Sequence, residues 1–372
     1  MKTLKYISIL CLSWTSLFAQ SYKEIGTLKV GCIFPLSGSM APLGKEAQAA
    51  IQVALEDLKS NPRYRSTVPH IEVLFEDDKS HPQGAKDAAN RLVKQHRVSV
   101  LFGSIGELNS RAIEKVGEEA NIPVFLPTSF PREKTGSFTG RQSEAQTARA
   151  LARYLHNTLK IKQVSFLAHS KSSAASSSFM KSYRIHGGKV MKDFTQYTSG
   201  EQLDKNRIAQ LADLFAQENI TALVTDSPLG DFKAVLDALG KKAPIVVSLS
   251  HRVIPADMGA YRILSAESFM NHDPHINEFT KRFYDLTRWK PQKASAMIYD
   301  GFLLIGSIFT RAQSPRPEAL FQALSKPHSY EGLHGSTLLH NKTIQKTALI
   351  LEHSPEGRKI LHRSQPRPQH SL

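Results

Sequence analysis

The chain has 372 residues, of which 41% are hydrophobic and 22% are charged, with 21 glycines and 19 prolines. This composition is that of a globular protein with room for two cores, and it excludes a disordered chain, a collagen-like repeat and a small disulfide-stapled domain. Lys and Arg outnumber Asp and Glu by 48 to 33, giving a formal net charge of +15. Because the basic residues are spread along the chain without a long basic block, we expect no nucleic-acid partner.

The first residues have the pattern of a secretory signal peptide. Lys2 and Lys5 precede an apolar stretch at 6–18 (YISILCLSWTSLF), and a small residue follows at the predicted cleavage position. The apolar stretch is shorter than the roughly 20 residues that a membrane span needs. We therefore expect residues 1–19 to be cleaved and the protein to be periplasmic. Cys32 would then be the only cysteine, so no intrachain disulfide is expected.

Strand and helix patterns alternate from residue 28 onward. The first series comprises predicted strands at 28–34, 70–75, 98–102 and 123–126 and helices at about 47–58, 83–95 and 107–120. After a pause at 127–141, a second series comprises helices at 143–159, 173–185, 201–217 and 229–239 and strands at 163–168, 189–193, 221–225 and 244–247. Alternation of this kind is typical of right-handed βαβ units, so we predict two serial α/β domains with parallel sheets.

The last third of the chain has a different pattern. It contains predicted helices at 274–287, 294–311 and 317–324 and two strands near 335–339 and 347–352. Three helices with few strands fit poorly as a third domain and better as layers that complete the two sheets. The polar residues 362–372 predict a disordered tail.

Four segments, taken in order, resemble the type I periplasmic binding proteins, in the leucine/isoleucine/valine-binding branch that serves ABC transporters. Residues 30–38 (VGCIFPLSG) are similar to the family's first strand and loop, and 101–123, from LFG to EEANIP, match a family segment without a gap. Residues 296–301 (AMIYDG) resemble a family helix, and 330–335 (YEGLHG) resemble the turn before its last hairpin. The order and spacing of these segments carry the resemblance, which spans nearly the whole chain after the leader.

The resemblance implies two Rossmann-like lobes that are joined by three crossover strands and close on a ligand at the hinge. Lobe 1 would comprise 26–138 and 268–331, and lobe 2 would comprise 139–264 and 334–361. The crossovers would fall near 138–141, 264–269 and 332–335. Tyr299 and Asp300 would then hold their helix against the hinge region.

The resemblance also implies a site at the carboxyl ends of the strands, although the residues there depart from the amino-acid binders. Gly106 and Glu107 replace the serine pair that grips the ligand carboxylate, and Phe130 replaces a threonine near the ligand ammonium. Ser173 stands in place of a second-lobe tyrosine. The position of the family's acidic residue that binds the ligand ammonium falls near Ser250 or His251. The predicted ligand-binding residues are Ser104, Gly106, Glu107, Thr128, Ser129, Phe130, Ser173, Asp226, Ser250 and His251.

Each of these residues has a structural alternative. Glu107 at a helix start is favoured by the helix dipole, and Ser104 and Ser129 fit turns or caps as well as ligand contacts. Phe130 is more often a packing residue than a ligand-stacking one. His251 fits an ordinary solvated loop.

Catalytic and metal-binding patterns are incomplete. The segment 38–45 has five residues between its glycines, where a phosphate-binding loop needs four, and Glu46 occupies the Ser/Thr position. Ser178 begins an S-x-x-K match without the other elements of a serine β-lactamase in order. The run 272–275 (HDPH) is at most a weak metal-binding turn, because paired cysteines and H-E-x-x-H are lacking. We therefore predict no enzymatic activity, no cofactor and no metal.

The predicted function is an extracytoplasmic solute-binding protein of an ABC transporter that captures a small polar ligand, such as an amino acid or amide. We expect the protein to be a monomer. Its partners would be that ligand and a membrane permease. Three alternatives stay open at this point: a ligand sensor on the same fold, an interaction module whose cleft has lost its ligand, and an envelope hydrolase that uses Ser178.

Overall fold

The computed structural model describes residues 25–131, 136–167, 173–194, 205–227, 229–249, 254, 256–354 and 356–366. These residues form two sheets of eight and seven strands. The first sheet has the order β11-β12-β13-β5-β4-β3-β1-β2, and the second has the order β15-β14-β10-β9-β8-β6-β7. The pairs from β1 to β5 and from β6 to β10 are parallel. The predicted α/β fold with two mostly parallel sheets is confirmed.

The strands and helices follow in chain order. The strands are β1 (Leu28–Phe34), β2 (Ile71–Asp77), β3 (Val100–Gly103), β4 (Val124–Leu126), β5 (Ser137–Thr139), β6 (Gln163–Leu167), β7 (Lys189–Asp193), β8 (Ala222–Thr225), β9 (Ile245–Ser248), β10 (Ile263–Glu267), β11 (His328–Gly332), β12 (Gly335–His340), β13 (Thr343–Lys346), β14 (Ala348–Ser354) and β15 (Gly357–Ser364). The helices are α1 (Ala41–Ser60), α2 (Pro82–Lys94), α3 (Glu107–Glu119), α4 (Glu144–Arg153), α5 (Ala174–Ile185), α6 (Lys205–Gln217), α7 (Lys233–Leu239), α8 (Asn277–Thr287), α9 (Lys293–Ala312) and α10 (Pro317–Leu324).

Helices cover both faces of each sheet. On the first sheet, α1, α8, α9 and α10 form one layer and α2 and α3 form the other. On the second sheet, α4 and α5 form one layer and α6 and α7 form the other. Because both faces are covered, the central strands are nearly continuous apolar runs. Cys32 in β1 illustrates this arrangement: its side chain is fully buried, and burial raises the pKa of its thiol.

Helix α9 is buried on nearly all sides. Fifteen of its 20 residues are buried, in an unbroken run from Ser295 to Phe309. A helix that is apolar all round needs protein on every side, and here α1 and α10 pack against it. The late helices therefore complete the first sheet, as the sequence predicts.

The chain passes between the sheets three times. It leaves the first sheet after β5, returns to it between β10 and β11, and leaves again between β13 and β14. The third passage falls at Thr347, later than the expected 332–335, because β12 pairs with β11 and β13 pairs with β12 and β5 in the first sheet. Residues 334–346, which we expected in lobe 2, therefore belong to the first sheet.

The expected tail at 362–372 also needs a correction. The strand β15 continues to Ser364 and pairs antiparallel with β14, with His362 opposite Ile350 and Arg363 opposite Leu349. The ring of His362 stacks on Tyr154 at 5.3 Å. Residues 362–364 are therefore ordered by their neighbours in the second sheet, while 367–372 lie outside the described residues.

Candidate functional site

The strand orders locate the candidate site. The strand β1 lies between β2 and β3, and β6 lies between β7 and β8. At such a reversal, the loops that leave adjacent strands turn to opposite faces and open a crevice beyond the carboxyl ends. The loops after β1 and β3 in the first sheet, and after β6 and β8 in the second, therefore border the crevices. Residues 168–172, which follow β6, lie outside the described residues.

The loop after β1 is held by Asp77 at the end of β2. Its carboxylate accepts hydrogen bonds from the backbone N–H groups of Leu36 at 2.9 Å and Lys79 at 2.8 Å, and from the Ser37 hydroxyl at 2.5 Å. Burial works to raise the pKa of Asp77, but these hydrogen bonds outweigh it and hold that pKa below its usual value. The loop is thus fixed by a carboxylate that already has its partners.

The loop after β3 is held in the same way by Asp78. This carboxylate is fully buried and accepts hydrogen bonds from the Ser104 hydroxyl, the Asn109 side chain at 3.2 Å and the Ser80 backbone N–H at 2.7 Å. The predicted ligand residue Ser104 is itself fully buried, and its carbonyl accepts from the Thr128 hydroxyl at 3.3 Å. In this structure the Ser104 side chain organises the loop and faces away from solvent.

Gly106 and Glu107 lie where this loop enters α3. Gly106 has a φ of 94°, a conformation that L side chains rarely adopt, and open space surrounds the position that a Cβ would take. No side chain caps α3 at Gly106. The Glu107 side chain is 73% exposed and forms an ion pair with Arg111 at 3.2 Å. Both predicted residues therefore lie at an open helix start, with Glu107 already paired to a cation.

The loop after β4 places an aromatic ring beside a cation. The Phe130 ring is 36% exposed, and the Arg141 guanidinium lies over it, 4.9 Å from the ring centroid. The buried Thr139 hydroxyl joins the two segments, because it donates to the Ser129 carbonyl at 2.6 Å and accepts from the Arg141 backbone N–H at 2.9 Å. Arg141 and Thr139 were missed by the sequence reasoning. The signal in the sequence that could have indicated Arg141 is a basic residue two positions after a short strand.

The second sheet presents hydroxyls and one carboxylate. Ser173 caps α5, accepting from the Ser176 backbone N–H at 3.0 Å and donating to the Ser176 hydroxyl at 2.9 Å. The Ser176 hydroxyl donates in turn to Asp226 at 2.6 Å. The predicted residues Ser173 and Asp226 are thus brought together through Ser176, which the sequence reasoning did not single out. Ser250 and His251 lie outside the described residues.

Buried ion pairs join the segments at the crossovers. Asp300 on α9 forms an ion pair with Lys346 at 2.6 Å, with side chains only 4% and 5% exposed. Asp300 also accepts from the Leu333 backbone N–H at 2.7 Å. The neighbouring Tyr299 hydroxyl donates to Asp57 on α1 at 2.5 Å. Asp300 thus ties α9 to the β11–β12 turn and to the end of β13, and the Tyr299 hydroxyl ties α9 to α1.

A second ion pair links three separate segments. The buried Asp273 carboxylate accepts from Arg363 on β15 and from His334 in the β11–β12 turn, the latter at 2.8 Å. Burial works to raise the pKa of Asp273, but the hydrogen bonds from Arg363, the His275 backbone N–H and His334 outweigh it and hold that pKa below its usual value. We refer to Asp300, Lys346, Asp273, His334 and Arg363 as the crossover cluster.

In the part of the chain that the structure describes, no group of three or more His, Cys, Asp or Glu side chains is placed to hold a metal ion. In the 272–275 turn, Asp273 is used by Arg363 and His334, whereas His275 has a side chain that is 61% exposed. Within these same residues, none of the helices has the length and apolar character required to cross a bilayer.

Comparisons with known proteins agree with this architecture. The family model for periplasmic binding proteins matches residues 27–350. The Leu/Ile/Val-binding protein homolog 7 of Brucella melitensis biotype 1 is 27% identical over 117 residues, which is 32% of this chain and 29% of the relative. The matched stretch thus spans less than a third of that relative's length.

Solved structures show the same fold at low sequence identity. A protein assigned as a branched-chain amino acid ABC transporter in Rhodospirillum rubrum is 19% identical, with a TM-score of 0.72 and coverage of 90% of this chain and 100% of that one. A solute-binding protein of an ABC transporter from R. palustris, solved with benzoate, is 18% identical, with a TM-score of 0.54 and coverage of 93% and 98%. With the two sheets, their strand order and the match over 27–350 in hand, the chain belongs to the periplasmic binding proteins and has their type I fold.

Proposed function

We propose that this protein is the extracytoplasmic solute-binding component of an ABC transporter. It captures a small polar ligand between the carboxyl edges of its two sheets, closes around that ligand by hinge motion and delivers it to a membrane permease. It acts by binding, without covalent chemistry, a cofactor or a metal. One lobe is built on each sheet, and residues 1–19 are a signal peptide that directs the chain to the periplasm.

The observation that carries this proposal is the pair of sheets that the chain links by three passages. Each sheet has a strand-order reversal, and the described loops at these carboxyl edges carry hydroxyls, a carboxylate and a guanidinium. A hinge made of three segments allows two lobes to close as rigid bodies, which removes water from the ligand and strengthens each polar contact. The crossover cluster supports this view, because it organises the segments that would bend.

The ligand is the open part of the proposal. Relatives of this fold include a Leu/Ile/Val-binding protein homolog and a protein solved with benzoate. The direct test is thermal unfolding of the chain without residues 1–19 in the presence of amino acids, amides and aromatic acids. A ligand at about 100 times its dissociation constant should stabilise the protein by about 2.7 kcal/mol. Small-angle scattering should show a smaller radius of gyration with the same ligand.

Transport and export need their own measurement. Cell fractionation and N-terminal sequencing should find a periplasmic chain beginning after residue 19, and cross-linking in membranes should capture a permease. Recovery of a sensor kinase in place of a permease would favour the sensing alternative. Retention of the unprocessed chain in the cytoplasm would contradict the proposal.

One observation favours a second candidate, an interaction module without a ligand. Ser104 is buried against Asp78, and Gly106 and Glu107 stand where the family's serine pair is expected. Under this reading, Glu107→Gln would leave function unchanged, and no solute in a broad library would raise the unfolding temperature. Under the main proposal, Glu107→Gln alters the affinity for at least one solute.

A further inference from the structure

We infer that Arg141 and Phe130 recognise a carboxylate carried on an apolar body, so that the solute is a small organic anion rather than a zwitterionic amino acid. This inference rests on the proposed solute-binding function and narrows its ligand class. It is carried by the geometry and the charges at the carboxyl edge of the first sheet.

The pair is held in place by the fold. Phe130 and Arg141 follow the adjacent parallel strands β4 and β5, in which Leu126 lies opposite Thr139. The Thr139 hydroxyl fixes both loops through the Ser129 carbonyl at 2.6 Å and the Arg141 N–H at 2.9 Å. The segments that carry the ring and the guanidinium are therefore positioned before any ligand arrives.

The guanidinium is available to an anion. Among the described residues Arg141 has an exposed side chain and forms no ion pair, and its side-chain partner is the face of Phe130. A guanidinium that stacks on a ring by its face keeps the N–H groups on its edge free for a planar carboxylate. The exposed part of the Phe130 ring provides apolar surface next to that edge.

The described carboxylates of the crevice loops, in contrast, already have partners. Asp77 accepts four hydrogen bonds from Leu36, Ser37 and Lys79. Glu107 is paired with Arg111, and Asp226 accepts from Ser176. A ligand ammonium would share a carboxylate that already has a partner, whereas a ligand carboxylate would meet Arg141, which forms no ion pair among the described residues. The site therefore favours an anion.

The test compares three probes on the full chain by isothermal titration calorimetry. Benzoate has the charge and the apolar body, benzamide has the same shape without the charge, and L-leucine adds an ammonium. We expect the affinity for benzoate to be the highest of the three. The affinity for benzamide should be lower by about tenfold or more, because benzamide lacks the charged oxygen that would accept from Arg141. Equal affinity for benzamide, or binding of L-leucine alone, would overturn the inference and leave the proposed function standing.

Two matched variants assign the effect to the pair. Arg141→Gln should weaken benzoate binding about tenfold or more and leave the affinity for benzamide unchanged. Arg63→Gln is the control, because the Arg63 guanidinium also lies over an aromatic ring, that of Tyr64 at 5.9 Å, but in the turn that follows α1. The unfolding temperatures of both variants should match that of the parent, which excludes misfolding. Unchanged benzoate affinity in Arg141→Gln would overturn the inference. A failure of all three probes and of the wider solute library would overturn the proposed function as well.

Discussion

The crossover cluster and the loops at the carboxyl edge of the first sheet both contain buried or half-buried carboxylates, but they compensate the negative charge differently. At the crossovers, Asp300 and Asp273 are paired with the cations Lys346 and Arg363. At the carboxyl edge, Asp77 and Asp78 are satisfied by backbone N–H groups and neutral side chains. At the same edge Arg141 has no carboxylate partner among the described residues, so its guanidinium is available to a ligand. Three measurements would break or sharpen this contrast.

The largest effect is expected from Lys346→Met. The variant leaves Asp300 buried without its cation, and breaking a buried pair in this way costs about 3–5 kcal/mol of unfolding free energy. Chemical denaturation measures the loss. The double variant Lys346→Met with Asp300→Asn removes both charges and should recover part of it, because the Asn oxygen can still accept from Leu333. A single variant within about 1 kcal/mol of the parent would contradict the role assigned to the ion pair.

A smaller effect is expected from Thr139→Val at the carboxyl edge. The loss of the hydroxyl leaves the Ser129 carbonyl without this donor and should cost about 1–2 kcal/mol. Ligand affinity should fall as well, because Arg141 loses its backbone anchor. Thr67→Val is the matched control: the buried Thr67 hydroxyl contacts the Tyr64 carbonyl, so stability should fall without a change in affinity. If the two variants bound the ligand with equal affinity, Thr139 would have no role in positioning the ligand site.

The smallest effect is a pH dependence of the crossover cluster. Burial lowers the pKa of His334, although the hydrogen bond to Asp273 opposes this shift. Because an unfolded histidine has a pKa of about 6.5, the unfolded chain binds more protons as the pH falls below that value. The contribution of His334 to stability is therefore fully present above about pH 6.5 and is lost as the pH falls through its folded pKa.

His334→Asn isolates this contribution. Its amide can donate to Asp273 but does not titrate, so between about pH 7.5 and pH 5 the variant should lose less unfolding free energy than the parent. His328 and His353, whose pKa values burial lowers to about 4, contribute in the same way to both proteins. If the parent and the variant lost the same unfolding free energy over this pH range, the pKa of His334 would be the same in the folded and the unfolded chain, which would contradict the prediction.

The sequence predicted the parallel strands better than the short or edge strands. The interval 28–34 matches β1 and 317–324 matches α10, because apolar runs and helical periodicity are local properties. The strands β5 and β13 have three and four residues, too few for a pattern. The last three residues of β15, 362–364, were assigned to a polar tail, since their order depends on pairing with β14 and on the contact of Arg363 with Asp273, 90 residues away.

The site was predicted in outline and not in its contacts. The sequence indicated which loops follow the strands, and Ser104, Thr128 and Phe130 do lie in those loops. It could not show that the Ser104 hydroxyl donates to Asp78, because the two residues meet only when the end of β2 and the loop after β3 are brought together in the fold. Arg141 was missed for the same reason, as its contact with Phe130 depends on the pairing of β4 with β5.

The burial of Cys32 provides a built-in reporter on the first sheet. Cys32 lies opposite Phe75 and Phe102 in the two neighbouring strands, so a thiol reagent reaches it only when those strands separate. Its labelling rate then measures the free energy of that opening, without a dye or an engineered cysteine. Solute that binds at the carboxyl edge should slow the labelling, and the dependence of the rate on solute concentration would give the affinity independently of heat or calorimetry.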